Sequence, residues 1–262
     1  MAALVDVLKR KSYKVLLACG VDARILARAL PVLLRFLEDA RRYRQLDPPQ
    51  SFRFSLSNLM PIVSDFRADA GTARGHYFHQ DLWAARKIFE RRPTRHMDIG
   101  SRIDGFVAHL LVFMPVEVID VRLLPSKIRG LSFTQADATH LENLADDSVE
   151  SISSLHAAEH FGLGRYGDSI DPLGYKKFMH CLNRVLAPAG RLYFSVPIGH
   201  ERLCFNAHRV FSVQGVLQIF EGLSLHSFSY VDDNGDFYED VSPDAVPEEL
   251  LYGCGLFEFT KL

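Results

Sequence analysis

Three aspartates close three successive apolar runs. Asp98 ends HMDIG, Asp120 ends VEVID, and Asp137 follows FTQAD. At the ends of parallel strands such carboxylates border the ligand crevice of a doubly wound sheet. A carboxylate after the second strand can accept both hydroxyls of a ribose, and one after the third can accept from an adenine amino group. Asp98 can orient its own turn, or reach a ligand ammonium through water. Isolated acids at strand ends often cap helices or sit in solvent; three in register point to an adenosine site.

The first of these runs leads into Gly100 and Gly105 and then an apolar segment of helical spacing. A strand, a glycine-bearing turn and a helix let backbone N–H groups approach a polar ligand closely. Histidine, titrating near neutral pH, supplies candidates for a general base: His156, His160, His200 and His208, with Glu159 beside them. His156 and His160 lead by position and His208 is third. The loop 162–174, with Arg165, Tyr166, Asp168 and Asp171, can close over a substrate or serve as a solvated connection.

These residues need elements to hold them. From Arg95 onward β-rich runs fall at 95–99, 116–121, 131–136, 149–154, 190–197, 224–231 and 254–261, with helical stretches near 103–113, 173–187 and 212–222. Strands separated by helices imply parallel neighbours joined by right-handed crossovers. The last two strands are separated by the turn signal Asp232-Asp233-Asn234-Gly235-Asp236, not by a convincing helix, so they can pair antiparallel. The expected architecture is α/β: a doubly wound, Rossmann-like sheet of seven strands, mostly parallel, with a C-terminal antiparallel pair.

Residues 1–92 form a helical extension, ahead of the sheet domain 93–262. Ile25, Leu26, Ala29, Leu30, Leu33, Phe36, Leu37 and Ala40 make an apolar stripe opposite Arg24, Arg28, Arg35, Arg41, Arg42 and Arg44. Pro31 kinks this helix or starts a second one, and Asp47-Pro48-Pro49 stops it. Such a helix lies on a membrane surface, on its own domain, or on a second copy in a homo-oligomer. A second helix runs from about His79 to Arg91, with Tyr77 and Gln80 ahead of the first strand covering a cofactor or packing the helix.

The net charge of −2 gives no electrostatic case for a nucleic-acid partner. Four scattered cysteines (Cys19, Cys181, Cys204, Cys254) without a C-x-x-C pair argue against structural zinc and for reduced cytosolic thiols. Tyr13 to Gly20 is too short to span a bilayer, so a cytoplasmic location without a transmembrane segment is expected. His156-Ala157-Ala158-Glu159-His160 matches the H-x-x-E-H zinc-peptidase pattern. That pattern needs a helix of several turns, whereas a strand precedes it and Gly162 and Gly164 follow, so no metal is expected.

Residues 98–262 resemble a class I S-adenosylmethionine-dependent methyltransferase. DIGSRIDG resembles the first cofactor motif, VIDVR the ribose motif, ADATHLENLADDSVESISSLHAAEH the adenine segment with the fourth strand, and LNRVLAPAGRLYFSVP the fifth-strand region. GHYFHQD at 75–81, EHFGLGRYGDSIDP at 159–172 and FNAHRVFS at 205–212 are similar to the branch catalogued as domain-of-unknown-function family 268. The resemblance implies S-adenosylmethionine as cofactor, held by Asp98, Gly100, Ser101, Gly105, Asp120, Asp137, Ala138 and Ser154. It implies a catalytic base among His156, His160 and His208, and a small-molecule or saccharide acceptor, preferably a hydroxyl, with a role in surface-polysaccharide assembly.

One departure from the superfamily is the third glycine of the first motif: Ile103 and Asp104 occupy its region, and an aspartate there repels the cofactor carboxylate unless Arg102 neutralises it. A methyltransferase-like scaffold without catalysis is a second reading. A nicotinamide-dependent oxidoreductase is a third, although Gly100 and Gly105 do not give G-x-G-x-x-G.

Overall fold

The computed structural model describes residues 23–62 and 65–262, with the side chains of 23–28 and 67 left out. The apolar run at 13–20, Cys19, and the side chains of Arg24, Ile25, Leu26 and Arg28 lie outside the described residues. Two compact units divide the chain, Met1–Gly71 and Thr72–Leu262. In the first, helix α1 (Ala23–Gln45) runs unbroken through Pro31 and stops before Asp47-Pro48-Pro49, followed by short 3-10 turns. No described helix is long and apolar enough to cross a membrane.

The second unit opens with α2 (His76–Arg91), so this helix travels with the sheet. The strands are β1 (His96–Ile99), β2 (Val116–Asp120), β3 (Leu131–Gln135), β4 (Val149–Leu155), β5 (Leu186–Ile198), β6 (Arg202–Cys204), β7 (His208–Val210), β8 (Ser224–Val231), β9 (Phe237–Tyr238) and β10 (Gly253–Thr260). Eight of them form one sheet in the order β3-β2-β1-β4-β5-β10-β8-β9. The strands from β3 to β5 pair parallel, and β10 pairs antiparallel with both β5 and β8. The seven expected strands and the antiparallel end are therefore present. The two-residue β9 and the separate β6–β7 hairpin are additional.

Burial explains the order. β1 is buried at all four positions and β5 is buried from Leu192 to Ile198, as strands covered on both faces must be, whereas the edge strand β3 alternates half-buried and exposed residues. One face packs α4 (Gly174–Val185) and α5 (Val213–Ile219) through Phe178, Leu182, Val216 and Phe220. The other packs α2 through Trp83, Ala84 and Ile88 against Phe106, Leu110 and Leu256. Each large apolar side chain so buried contributes about 1.5–3 kcal/mol.

The segment expected as a helix at 103–113 is shorter and wider. Val107 N–H bonds Arg102 O, five residues back, so Ile103–Val107 is a π-turn that passes into α3 (Ala108–Leu110). The glycine turn is thus not followed by a regular α-helical N-terminus.

Candidate active site

The C-terminal ends of β1, β2 and β4 open into a crevice of about 730 Å³. Gly100, Ser101, Asp120, His156, His160 and His208 all line it. A continuation past Asp120 and His160 is lined by Asp137, Ala138 and Gly162. Nine of the residues expected to bind the cofactor or serve as a base line this crevice or its continuation, whereas Asp98, Gly105 and Ser154 lie outside both.

 Glu159 completes the nine, and His200 is exposed outside the lining.

Asp98 is fully buried beneath the crevice, which corrects its expected place in the lining. Its Oδ1 accepts from Ser101 Oγ and Ser153 Oγ, each at 2.5 Å, and its Oδ2 accepts from Ser101 N–H at 3.1 Å. Ser101 Oγ in turn accepts from Leu155 N–H at 3.0 Å. The carboxylate therefore ties the end of β1, the glycine turn and the end of β4 together. Burial raises its pKa to about 6, against the pull of the serine hydrogen bonds.

Behind it, His96 spans two serines, with Nδ1 2.7 Å from Ser151 Oγ and Nε2 3.0 Å from Ser153 Oγ. Ser153 spends its proton on Asp98, so His96 Nε2–H donates to Ser153 and Nδ1 accepts from Ser151. Burial lowers the His96 pKa to about 3. A folded-state pKa below the unfolded one gives stability that is complete above about pH 6.5 and lost as pH falls toward 3. The stability difference between wild type and His96→Gln should therefore shrink by about 2.5 kcal/mol from pH 7 to pH 4.5. Urea unfolding at both pH values checks this, and a constant difference would mean that His96 is not held neutral.

Gly105 and Ser154 are the other corrections. A Cβ on Gly105 would stand 2.3 Å from Asp81 Oδ2, so this glycine admits the α2 carboxylate and does not cradle a ligand in the crevice. Ser154 is fully buried within β4. Gly100 does serve the turn: its φ is +72°, and a Cβ would meet Ala157 Cβ at 3.0 Å. Arg102 pairs with Asp104 through two bonds of 3.3 and 3.2 Å, the neutralisation expected at the missing glycine.

At the end of β2, Asp120 is held by its own loop. Arg122 donates from Nε to Oδ1 (2.9 Å) and from a terminal nitrogen to Oδ2 (2.6 Å), and its backbone N–H donates to Oδ1 at 2.8 Å. The guanidinium also lies 4.5 Å over the Tyr166 ring. Asp137 accepts at Oδ1 from Thr139 N–H and Oγ1–H, at 2.9 and 2.8 Å.

The histidines stand where β4 turns out of the sheet. His156 has φ +52° and is followed by a 3-10 turn, Ala158–His160, so the H-x-x-E-H residues are not on an α-helix. Glu159 Oε1 accepts from His156 Nδ1–H at 2.7 Å and lies 3.6 Å from His160 Nε2. Burial alone would raise the Glu159 pKa, but His156 and His160 beside it bring the pKa below the ordinary value. His160 Nδ1–H donates to Ala207 O at 2.7 Å, which leaves the lone pair on Nε2. Burial lowers the pKa of His160 and of His208.

Sequence reasoning gave no role to several residues at this junction. His76, Tyr252 and Cys254 all reach His156 or its stacking partners, through contacts that join α2, the post-β4 turn and the start of β10. GHYFHQD carried the only local signal, two histidines ahead of the first strand.

Among known proteins, the family model described as "Caenorhabditis protein of unknown function, DUF268" matches residues 126–237. No curated protein matches the chain. Among solved structures it is similar to the Burkholderia thailandensis 1,6-didemethyltoxoflavin-N1-methyltransferase, crystallised with 1,6-didemethyltoxoflavin and S-adenosylhomocysteine. That match has a TM-score of 0.51 at 14% identity and covers 70% of this chain and 79% of that one. It is also similar to the [4+2]-cyclase SpnF, with a TM-score of 0.51 at 11% identity, covering 73% and 85%. At these identities the likeness is one of fold.

Proposed function

Because this chain carries the DUF268 family segment on a class I methyltransferase fold, we propose that it transfers a methyl group from S-adenosylmethionine to a hydroxyl of a small-molecule or saccharide acceptor. The observation that carries the reading is one crevice flanked by Asp120 and Asp137 above the glycine turn at Gly100. S-adenosylmethionine supplies an electrophilic methyl group on a sulfonium. Asp120 would accept from ribose hydroxyls, Asp137 would accept at the adenine edge, and Ala138 would pack beside it. His160 Nε2, with its lone pair free and its pKa lowered by burial, would take the acceptor's proton as the oxygen bonds to the methyl carbon and the sulfur–carbon bond breaks. Holding donor and acceptor aligned in the crevice would be the main contribution to rate. A role in surface-polysaccharide assembly follows from the same reading.

A scaffold that keeps the crevice without transfer is the second reading, and one observation favours it: Arg122 occupies both oxygens of Asp120. The SpnF likeness also separates this fold from any single reaction. Calorimetric titration with S-adenosylhomocysteine, S-adenosylmethionine and a nicotinamide dinucleotide tests the donor. We expect saturable binding of the first two, with Kd in the micromolar range, on the order of −8 kcal/mol. Binding of neither would remove methyl transfer, and binding of the dinucleotide alone would install hydride chemistry.

A further inference from the structure

We propose that His76, His156 and Cys254 form a binding site for a zinc-class divalent metal ion in the wall of the crevice. Their ligating atoms all lie within 4.8 Å of one another, from three separate elements: the first turn of α2, the turn after β4 and the start of β10. Among the described residues this is the one such cluster of metal-ligating side chains.

A second observation points to a ligand. His156 Nε2 is buried and makes no hydrogen bond, although the ring's other nitrogen is firmly engaged. With Nδ1–H donating to Glu159 at 2.7 Å, an incoming metal ion that displaces the Nε2 proton finds the Nε2 lone pair free to coordinate. A carboxylate behind a ligating imidazole fixes tautomer and ring orientation in the same way at known metal sites. The His76 ring stacks on His156 with centroids 5.3 Å apart and an interplanar angle of 9°.

Charge and chemistry agree with the geometry. A divalent ion, the Cys254 thiolate and the Glu159 carboxylate sum to zero in a buried pocket, which avoids the cost of an uncompensated charge. One thiolate with two imidazoles suits zinc better than calcium or magnesium. Zinc bonds of about 2.0–2.3 Å place tetrahedral ligands roughly 3.5 Å apart, so the cluster closes by about an ångström onto an ion. His76 is only half-buried and can supply that movement. Three protein ligands leave a fourth position for water or an exogenous oxygen, the pattern of zinc sites that do chemistry. His156 also lines the crevice, so the ion would stand in its wall.

This site does not depend on the methyl-transfer reading, and its test does not use activity. The full chain, stripped with a chelator under reducing conditions, is titrated with Co²⁺ and then with Zn²⁺. We expect one Co²⁺ per chain, a thiolate-to-cobalt charge-transfer band, and loss of that band as Zn²⁺ displaces the cobalt. Cys254→Ser should abolish the band, and Glu159→Gln should weaken Co²⁺ binding by about 10–100-fold by releasing the His156 ring. Should the buried serine variant fail to fold, His76→Ala, at a half-buried position, should still cut Co²⁺ affinity by at least about tenfold. Substoichiometric binding, no thiolate band in the wild type, or a band and affinity unchanged in these variants would overturn the site.

Discussion

Asp98→Ala is expected to lower the free energy of unfolding by about 3–5 kcal/mol, the range seen when one member of a buried charged pair or network is removed. Three donors lose their acceptor at once: Ser101 N–H, Ser101 Oγ–H and Ser153 Oγ–H. Each buried donor left unpaired costs about 1–3 kcal/mol, and the total is a large share of the 5–15 kcal/mol typical of a folded domain. Asp98→Asn should not rescue fully. Its amide oxygen can replace Oδ1 toward the two hydroxyls, but its NH₂ then faces the Ser101 N–H donor that Oδ2 accepts. Urea unfolding of the three proteins measures these differences. A loss below about 1 kcal/mol in the alanine variant would show that the turn holds without Asp98. A stable alanine variant that has lost S-adenosylhomocysteine binding would return Asp98 to the role of direct ligand.

Asp98 also shows how far the sequence could be read. The position of a carboxylate at a strand end is legible from the apolar run before it, and all seven long strands were legible by the same means. Whether its oxygens face a ligand or the protein depends on Ser153, 55 residues away on the adjacent β4, and no local pattern encodes that pairing. Gly105 failed for a similar reason: the atom that requires its missing side chain belongs to Asp81, on a helix 24 residues earlier. The hairpin of β6 and β7, which carries His208, has strands of three residues, too short for alternation to register. The trio His76, His156 and Cys254 was invisible because its members are far apart in the chain, at the start, the middle and the end of the sheet domain. C-x-x-C and H-x-x-E-H patterns detect ligands that share one segment, and here the sheet order brings β10 beside β5 and completes the cluster. The sheet itself was readable because burial on both faces leaves uninterrupted apolar runs.

Asp120→Ala should raise the Kd for S-adenosylhomocysteine by about 100-fold, or about 2.7 kcal/mol, since hydrogen bonds to a charged acceptor are worth about 1.5–3 kcal/mol each. Arg122 makes this prediction discriminating. The guanidinium now holds both Asp120 oxygens, so ribose hydroxyls must share the carboxylate with it or displace it. A carboxylate has roughly four lone-pair sites, and Arg122 uses three of them through its side chain and backbone N–H. Displacement therefore opposes binding, and Arg122→Ala should leave the affinity unchanged or tighten it by up to about tenfold, as expected when a competing contact of about 1 kcal/mol is removed. Calorimetry on the two variants separates the cases. Equal, large losses in both would mean that Arg122 orients Asp120 for the ligand and belongs to the binding apparatus. No loss in Asp120→Ala would mean that the adenosyl group does not use the end of β2, and the proposed donor site would fall with it.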